Sequence, residues 1–321
     1  MSDRIPVLSR RLVALGAALL AGRRALAQPA RPVRLVVGFG AGGISDLVAR
    51  VVAEAASGAL GQPIVIENRT GAGGNIATEF VARAAPDGTT LLFATVGALV
   101  VNPILIPTTS FDATRDFVTI GPLASTPHVL VVRPNTPATD LAGFLALARA
   151  EQGNMTWSTA GVGTSPHQTM LLTQAMTGAR FTPVHYRSGA AGVQAVLSGE
   201  VAVTAEATAV VAEHVRAGTL RALAAASPER LALLPDVPTT TELGFAGLTN
   251  GSVAGLMAPR GTPAPVLAQL AAAFSAALAS PALQARLAQQ GTLPMPGDAA
   301  AYDALLASER TRWRPLLENL G

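Results

Sequence analysis

The sequence of 321 residues contains no cysteine and no lysine, and these two absences exclude several kinds of chemistry. Without cysteine there are no disulfides, no thiol nucleophile and no thiolate ligand for a metal. Without lysine there is neither a Schiff-base lysine nor the lysine of a phosphate-binding loop. The missing cysteine also argues against a lipid-anchored N-terminus, so we expect a freely soluble protein.

The N-terminal segment has the order of features that is typical of an export signal. Arg4, Arg10 and Arg11 precede an apolar stretch at residues 12–22, and a small-x-small site follows. We expect cleavage after Ala27. The apolar stretch is about half the length of a membrane span, which needs roughly 20 residues. The general export pathway and, because of the paired arginines, the twin-arginine pathway both fit this segment.

The basic character of the whole chain comes largely from this segment. Residues 1–27 hold five arginines and one aspartate, so their removal brings the formal net charge of +3 close to neutral. We therefore expect no nucleic-acid partner, because no basic patch remains. His128, His185 and His214 lack the spacing of metal ligands, so no metal site is expected.

The first half of the mature sequence alternates apolar strand patterns with helical periodicity. Strands are predicted at Val33–Val37, Ile64–Glu67 and Thr90–Ala94, with helices at Asp46–Ser57 and Asn75–Ala84. A second unit of the same kind has strands near Val129–Val132, Thr156–Ser158, Thr182–His185 and Val201–Ala205, and helices near Asp140–Glu151, Pro166–Met176, Ala190–Leu197 and Val210–Ala217. Strands with little polar alternation indicate parallel sheets covered by helices on both faces.

Two similar segments suggest how the two units are connected. Arg133–Pro137 and Pro259–Pro263 each follow a strand and precede a helix. If the chain enters a second domain near the first segment and returns near the other, two crossings join the domains. We therefore predict a first domain of residues 28–129 plus 253–321 and a second domain of residues 130–252, with the C-terminal helices covering the first domain.

The glycine-rich segment Gly38–Gly43 fits the dinucleotide fingerprint G-x-G-x-x-G. It lies between a predicted strand and a predicted helix, and Glu67 ends the next strand. Glycines permit close backbone approach, and the N–H groups of a helix N-terminus attract any anion. A carboxylate therefore suits the turn as well as a pyrophosphate does. The pattern alone leaves a dinucleotide site, another anion site and a plain strand-to-helix turn open.

Longer stretches of sequence favour a site for an anion other than a dinucleotide. The turn continues to Asp46, and Glu67-Asn68-Arg69 leads into a second glycine-rich helix entrance at Gly71–Asn75. Further matching segments follow in order at Ala85–Gly88, Asn102-Pro103, Gly161–Ser165 with His167, Tyr186-Arg187, Gly218–Ala224, Leu234–Thr239 and Ala258–Pro263. With these segments the sequence resembles the periplasmic solute receptors of tripartite tricarboxylate transporters, also called Bug receptors, over essentially the whole mature chain.

This resemblance implies a two-domain periplasmic binding protein of the type II kind, with mainly parallel sheets flanked by helices and two hinge crossings. In that family the domains close over a small acid whose carboxylate is held by loop N–H groups, hydroxyls and ordered water. The implied function is capture of a small carboxylate for delivery to a membrane transporter, without covalent chemistry or a cofactor. We expect a monomer.

The resemblance also implies a set of ligand-binding residues on the matching loops. They are Phe39, Gly40, Ala41, Gly42, Ser45, Asp46, Thr95, Gly163, Thr164, Ser165, His167, Tyr186, Arg187 and Glu206. Several have a structural alternative. Asp46 can be the N-cap of the following helix, His167 can make a local bond at a helix start, Tyr186 can pack beneath its loop, and Arg187 can be solvated. Arg69 is expected to tie to Glu67 or to a carbonyl group.

The sequence departs from the family pattern at two places that bear on the ligand. Gly40, Ala41 and Ile44 stand where the family usually has prolines in the first turn, which makes the loop less rigid and one pocket wall more apolar. Residues 202–206 read Ala-Val-Thr-Ala-Glu where Asp-Val-x-Phe-Asp is common. The longer Glu206 and the lost phenylalanine are compatible with a larger ligand or with one that bears an amine.

Two other classes of protein remain as competitors. An exported dinucleotide-dependent oxidoreductase would use the glycine turn for its cofactor, and a receptor without a transporter would serve sensing. A Ser-His-Asp hydrolase is disfavoured, because no G-x-S-x-G motif is present.

Overall fold

The computed structural model describes residues 31–106 and 108–318. The predicted export signal at residues 1–27 lies outside the described residues. Strands and helices alternate along the chain, and the helices are interspersed with short turns at Ala72–Gly74, Gly97–Val101 and Ala246–Leu248. In chain order the elements are β1 (Val33–Val37), α1 (Ile44–Leu60), β2 (Ile64–Asn68), α2 (Asn75–Ala82), β3 (Thr90–Thr95), α3 (Asn102–Leu105), β4 (Phe117–Val132), α4 (Leu141–Ala150), β5 (Thr156–Thr159), α5 (Ser165–Thr177), β6 (Thr182–His185), α6 (Gly189–Ser198), β7 (Val203–Ala207), α7 (Thr208–Arg216), β8 (Arg221–Ala225), β9 (Gly251–Pro259), α8 (Ala264–Ala279), α9 (Pro281–Gln289), β10 (Leu293–Pro294) and α10 (Ala299–Glu318).

The strands form a mixed sheet in the order β2-β1-β3-β9-β4-β7-β5-β6, and β8 and β10 pair with β4. Pairing is parallel between β1 and its neighbours β2 and β3, and between β5 and its neighbours β6 and β7. These are the parallel units that the sequence predicts. We call the part built on β1, β2, β3 and β9 the first lobe, and the part built on β5, β6, β7 and β8 the second lobe.

The long strands β4 and β9 run antiparallel between the two parallel units and were not predicted at this length. Only the end of β4, near Val129–Val132, has the apolar pattern of a strand. The part of β4 that precedes this end contains Gly121, Pro122 and Pro127, and the β4–β9 ladder shifts register twice near the first two. Proline cannot donate to a ladder and glycine weakens a strand, so the local sequence conceals this strand.

β4 carries the chain from one lobe into the other. Pro127 pairs with Gly251 in the first lobe, and the next residue, His128, pairs with Ala207 in the second. The chain returns at Asn250, directly before β9. The two predicted crossings between the lobes are therefore present. The first lies inside β4, ahead of Arg133–Pro137, and the second lies at the start of β9, ahead of Pro259–Pro263. The residue limits of the two domains stay a prediction.

The C-terminal helices cover the first lobe, as predicted. Leu270 and Phe274 of α8 join the apolar cluster that Val48 and Val52 of α1 form. In α10, Tyr302 is fully buried, and its hydroxyl donates to the carbonyl of Ala94 in β3 over 2.8 Å.

Among the described residues, no single helix is both apolar and long enough to span a membrane, and the pair α8 and α9, which meets the criterion only together, is bent by 69°.

Candidate ligand-binding site

The glycine turn between β1 and α1 is held in shape by the carboxylate of Asp46. This side chain accepts hydrogen bonds from the N–H of Gly42, from Nε of Arg50 and from Nδ2 of Asn68, each at 2.9 Å. The amide of Asn68 also donates to the carbonyl of Phe39, so β2 holds the turn at two points. Asp46 thus fixes the shape of the loop.

The prediction that Asp46 is the N-cap of α1 is wrong. The helix begins at Ile44 with Gly43 as its N-cap, and no side chain caps it. Asp46 is the third helical residue and is only 2% exposed. Burial by itself raises the pKa of this carboxyl group, but the hydrogen bonds from Arg50, Gly42 and Asn68 outweigh burial, and the pKa lies below its usual value.

A cavity lies between the two lobes, and much of its wall consists of residues that the sequence predicts. These residues are Phe39, Gly40, Gly42, Ser45, Thr95, Thr164, Ser165, Arg187 and Glu206. Five more wall residues lie on the matching loops without being among the predicted ligand contacts, namely Gly43, Val96, Gly97, Pro166 and Ser188. The remaining wall residues were not predicted, and they are Ala160, Gln168, Gly189, Ala190, Val210, Gly251, Ser252 and Val253. Ile44 lines the cavity too, as expected from the departure at that position.

Three helix N-termini meet at this cavity. Ser45 belongs to the first turn of α1, Ser165 to that of α5 and Gly189 to that of α6, and all three residues line the wall. Within the described part of the chain, the backbone N–H groups of these three residues have no acceptor. Unpaired N–H groups and the positive ends of helix dipoles favour an anion, so the cavity is suited to a carboxylate.

Side chains add further donors to the same wall. For the hydroxyls of Ser45, Ser165 and Ser252, no partner is found in residues 31–106 and 108–318. Arg187 is exposed and forms no ion pair with any of the described residues. By contrast, the hydroxyl of Thr164 donates to the carbonyl of Gly161 over 2.7 Å and is already occupied. The free hydroxyls are neutral donors that bind a carboxylate without burying a second charge.

Two predicted residues at the start of α5 serve local structure instead of lining the cavity. The N–H of Gly163 donates to Nδ1 of His167 over 3.1 Å, and the carbonyl of Gly163 accepts from Nε2 of Gln168 over 2.8 Å. His167 therefore takes the local role that the sequence left open. Burial, followed by the nearby His185, lowers the pKa of His167 to about 4, so its ring is neutral.

Ala41, Asp46 and Tyr186 also lie outside the cavity wall. Ala41 is exposed in the glycine turn, and the carboxylate of Asp46 faces Arg50 and Asn68. The ring of Tyr186 packs against an apolar cluster of the second lobe, and its hydroxyl donates to Glu200 over 2.7 Å. The ligand contacts expected of these three residues are not supported by their positions.

Replacing Tyr186 with phenylalanine should leave ligand affinity within about twofold of the unchanged protein. The free energy of unfolding should fall by no more than about 1 kcal/mol, because the lost hydrogen bond lies at the surface. Calorimetric titration and urea unfolding measure the two effects. A tenfold loss of affinity with an unaltered stability would place the hydroxyl in the cleft and contradict this assignment.

Close contacts between the lobes occur at glycines beside the cavity. The Cα atom of Gly163 in the second lobe lies against Oδ1 of Asn102 in the first, where a methyl group would overlap it. Asn102 cannot easily turn away, because its Nδ2 donates to Asn75 over 2.7 Å and to the carbonyl of Gly73 over 3.2 Å. At Gly97, a methyl group would lie 2.7 Å from the carbonyl oxygen of Gly163. The lobes therefore meet through backbone at this edge of the cavity.

The geometry around Glu67 does not suit a dinucleotide. Glu67 pairs with Arg69 at 2.6 Å and with Arg34 at 3.4 Å, and it does not line the cavity. The predicted tie between Arg69 and Glu67 is thus present, and the Arg69 guanidinium also lies over the Phe80 ring at 3.5 Å. An acid engaged in this way does not present a carboxylate to a ribose beside the glycine turn.

Within the described ranges, no cluster of three or more histidine, aspartate or glutamate side chains could hold a metal ion.

Comparison with known proteins identifies the family of this protein. The family model for the tripartite tricarboxylate transporter family receptor matches residues 48–321. The chain belongs to this receptor family. The resemblance read from the sequence is therefore confirmed, and so is the two-domain periplasmic binding protein fold, because solved periplasmic binding proteins match it closely.

Relatives of the receptor family cover nearly the whole chain. Protein BugT of Bordetella pertussis is 34% identical over 294 residues, which is 91% of this chain and 90% of BugT. MatC of Rhodopseudomonas palustris, solved with bound malate, is 33% identical with a TM-score of 0.84 and covers 90% of this chain and 100% of its own. Another R. palustris protein, solved with adipate, is 31% identical with a TM-score of 0.85, and the match covers 90% of this chain and 97% of that protein.

Proposed function

We propose that this protein is an extracytoplasmic receptor that captures a small organic acid between its lobes and delivers it to a membrane transporter. One observation supports the proposal above all others. The N-termini of α1, α5 and α6 converge on one cavity, and first-turn N–H groups there have no acceptor in the described chain. A carboxylate is the small-molecule group that such donors suit best at neutral pH.

Binding without chemical conversion fits the residues in the cavity wall. Its titratable members are Arg187 and Glu206, and no histidine lies beside a serine hydroxyl in the wall. A nucleophile needs a base within hydrogen-bond reach, and this wall offers no such pair. The function proposed here is therefore that of a receptor and not that of an enzyme.

Delivery to a transporter is part of the proposal because of the family. Two relatives were solved with dicarboxylates, one with bound malate and the other with adipate. The exported location follows from the predicted signal at residues 1–27, with cleavage after about Ala27. Mass spectrometry of the protein purified from the periplasm of an expressing bacterium would test this, and a mature N-terminus at residue 28 is the expected result.

A thermal-shift screen of mono-, di- and tricarboxylates, amino acids and aromatic acids should find at least one ligand. At a hundredfold excess over its Kd, a ligand adds about 2.7 kcal/mol to the free energy of unfolding. For a protein of this size this corresponds to roughly 4 °C in Tm.

NAD and NADP serve as controls in the same screen and should leave Tm unchanged, because Glu67 is engaged elsewhere. A nucleotide shift without an acid shift would favour the oxidoreductase alternative. No shift with any acid would contradict carboxylate capture itself. A receptor that binds an acid but is not retained by membranes holding the transporter would support the sensing alternative.

A further inference from the structure

The cavity wall contains one buried acid, Glu206, which forms no ion pair with any of the residues that the structure describes. It lies near the end of β7 opposite Val129 of β4, and it is 4% exposed. One carboxylate oxygen accepts the N–H of Ala207 over 2.8 Å. For the other oxygen, Oε2, no donor is found in the described residues, although Glu206 lines the cavity.

Space for this carboxylate is provided by a glycine. A methyl group at Gly189, the first residue of α6, would overlap Oε2 of Glu206. The N-terminus of α6 is thus close enough to offset part of a negative charge. The N–H groups of Gly189 and Ala190 nevertheless do not donate to Glu206. The Glu206 carboxylate therefore lies beside the N-terminus of α6 without accepting a hydrogen bond from the N–H groups of that helix.

Among residues 31–106 and 108–318, no cation pairs with Glu206. Arg187 is the other titratable residue of the wall, but it is exposed and does not pair with Glu206. On β4, His128 is fully buried, and burial lowers its pKa to about 3, so it is neutral. Burial raises the pKa of Glu206 to about 7, although the bond from Ala207 acts in the opposite direction.

A buried carboxylate without a positively charged partner is costly, and a glutamine of the same shape would accept the Ala207 N–H equally well. The acid is explained if the ligand supplies the missing positive donor. Elsewhere the wall offers donors, at the starts of α1 and α5 and at the free hydroxyls of Ser45 and Ser165. The cavity thus combines a site for a carboxylate with a separate acceptor.

We propose that Glu206 selects ligands that carry an ammonium group as well as a carboxylate, so that the captured acid is an amino acid. This inference rests on the proposed function and narrows its ligand class. The ammonium group would lie against Oε2 of Glu206, and the ligand carboxylate would bind the N–H groups of α1 and α5. A purely anionic diacid would instead place its second charge beside Glu206.

Calorimetric titration of matched acid pairs tests the proposal directly. Each pair differs only in the amino group: aspartate with succinate, glutamate with glutarate, and alanine with propionate. In at least one pair the amino acid should bind at least about tenfold more tightly. Its affinity should rise about tenfold between pH 6 and pH 8, because Glu206 must lose its proton to accept from the ammonium group.

The variant E206Q should abolish this discrimination and flatten the pH dependence, while E206D should retain part of both. E200Q is the matched control, because Glu200 is an exposed glutamate outside the cavity wall, and it should change neither. Urea unfolding of each variant shows whether it folds.

Three results would overturn the inference. These are tighter binding of the unsubstituted acid with affinity that falls as pH rises, equal binding within every pair, and unchanged discrimination in a folded E206Q. In each of them an acid still binds, so the proposed function stands. If neither member of any pair nor any other acid binds, the proposed function itself fails.

Discussion

Replacing Gly163 with alanine should lower ligand affinity about 100-fold and leave the free energy of unfolding of the ligand-free protein nearly at the value of a control variant. Gly163 has φ of +69°, so any side chain there is strained. Its larger effect comes from the overlap with Oδ1 of Asn102 across the lobes. Because the Asn102 amide is held by Asn75 and Gly73, the new methyl group has to push the lobes apart.

The magnitude follows from the population of the closed form. If the overlap raises the free energy of the closed lobes by about 3 kcal/mol, a ligand that binds between them loses roughly two orders of magnitude in affinity. An open form relieves the overlap, so the ligand-free protein bears mainly the backbone strain. Small-angle scattering with saturating ligand should show that the variant stays more extended than the unchanged protein.

Gly178 supplies the matched control for this substitution. It ends α5 with φ of +70°, and nothing lies within 4 Å of a methyl group placed there. Gly178→Ala therefore introduces the same backbone strain, worth about 1 kcal/mol, without any contact between the lobes. It should bind ligand normally. Equal affinities of the two variants would show that the Gly163 contact does not limit closure.

Replacing Asp46 with alanine should lower the free energy of unfolding by about 2–3 kcal/mol and ligand affinity about tenfold. The buried carboxylate accepts from Gly42, Arg50 and Asn68, and its removal leaves these donors without their acceptor. The estimate stays below that for a fully buried ion pair because half of the Arg50 side chain is exposed. The affinity falls because the turn that carries Ser45 and Ile44 loses its fixed shape.

The pH dependence gives this prediction a second readout. The pKa of Asp46 is lowered in the folded protein, so its contribution to stability is complete above the ordinary aspartate pKa, about 4, and is lost as pH falls below it. Urea unfolding at pH 7 and at pH 3 should show that the free energy of unfolding falls less between these two pH values in Asp46→Ala than in the unchanged protein.

Asp140→Ala is the control for the loss of an aspartate at a helix start. Asp140 is the N-cap of α4, where it accepts from the N–H of Gly143 over 2.7 Å at the surface. Its removal should cost about 1 kcal/mol and leave affinity unchanged. If the two variants had the same stability and the same affinity, Asp46 would be an ordinary capping residue.

Much of the fold could be predicted because its parallel units are local in sequence. The strand pattern at Val33–Val37 and the helix after the glycine turn arise from residues that are neighbours along the chain. β8 was missed for the opposite reason. Arg221–Ala225 is rich in alanine and reads as helix, and it becomes a strand only because β4 offers it a partner.

The same distinction applies to the cavity. The sequence alone predicts the glycine turn, the segments shared with the receptor family and the residue types that can bind a carboxylate. Which of them face the ligand space was decided by packing. Because α1 begins at Ile44, Ser45 faces the cavity, while its neighbour Asp46 is turned toward Asn68 of β2.

Glu206 shows why the tertiary structure was needed for the rest. The sequence indicates only that a glutamate stands where an aspartate is common. Its burial, the space left by Gly189 and the lack of a donor for Oε2 in the described chain depend on elements far apart in sequence. Local patterns determine helices, strands and turns, whereas the charge environment of a side chain depends on what folding packs around it.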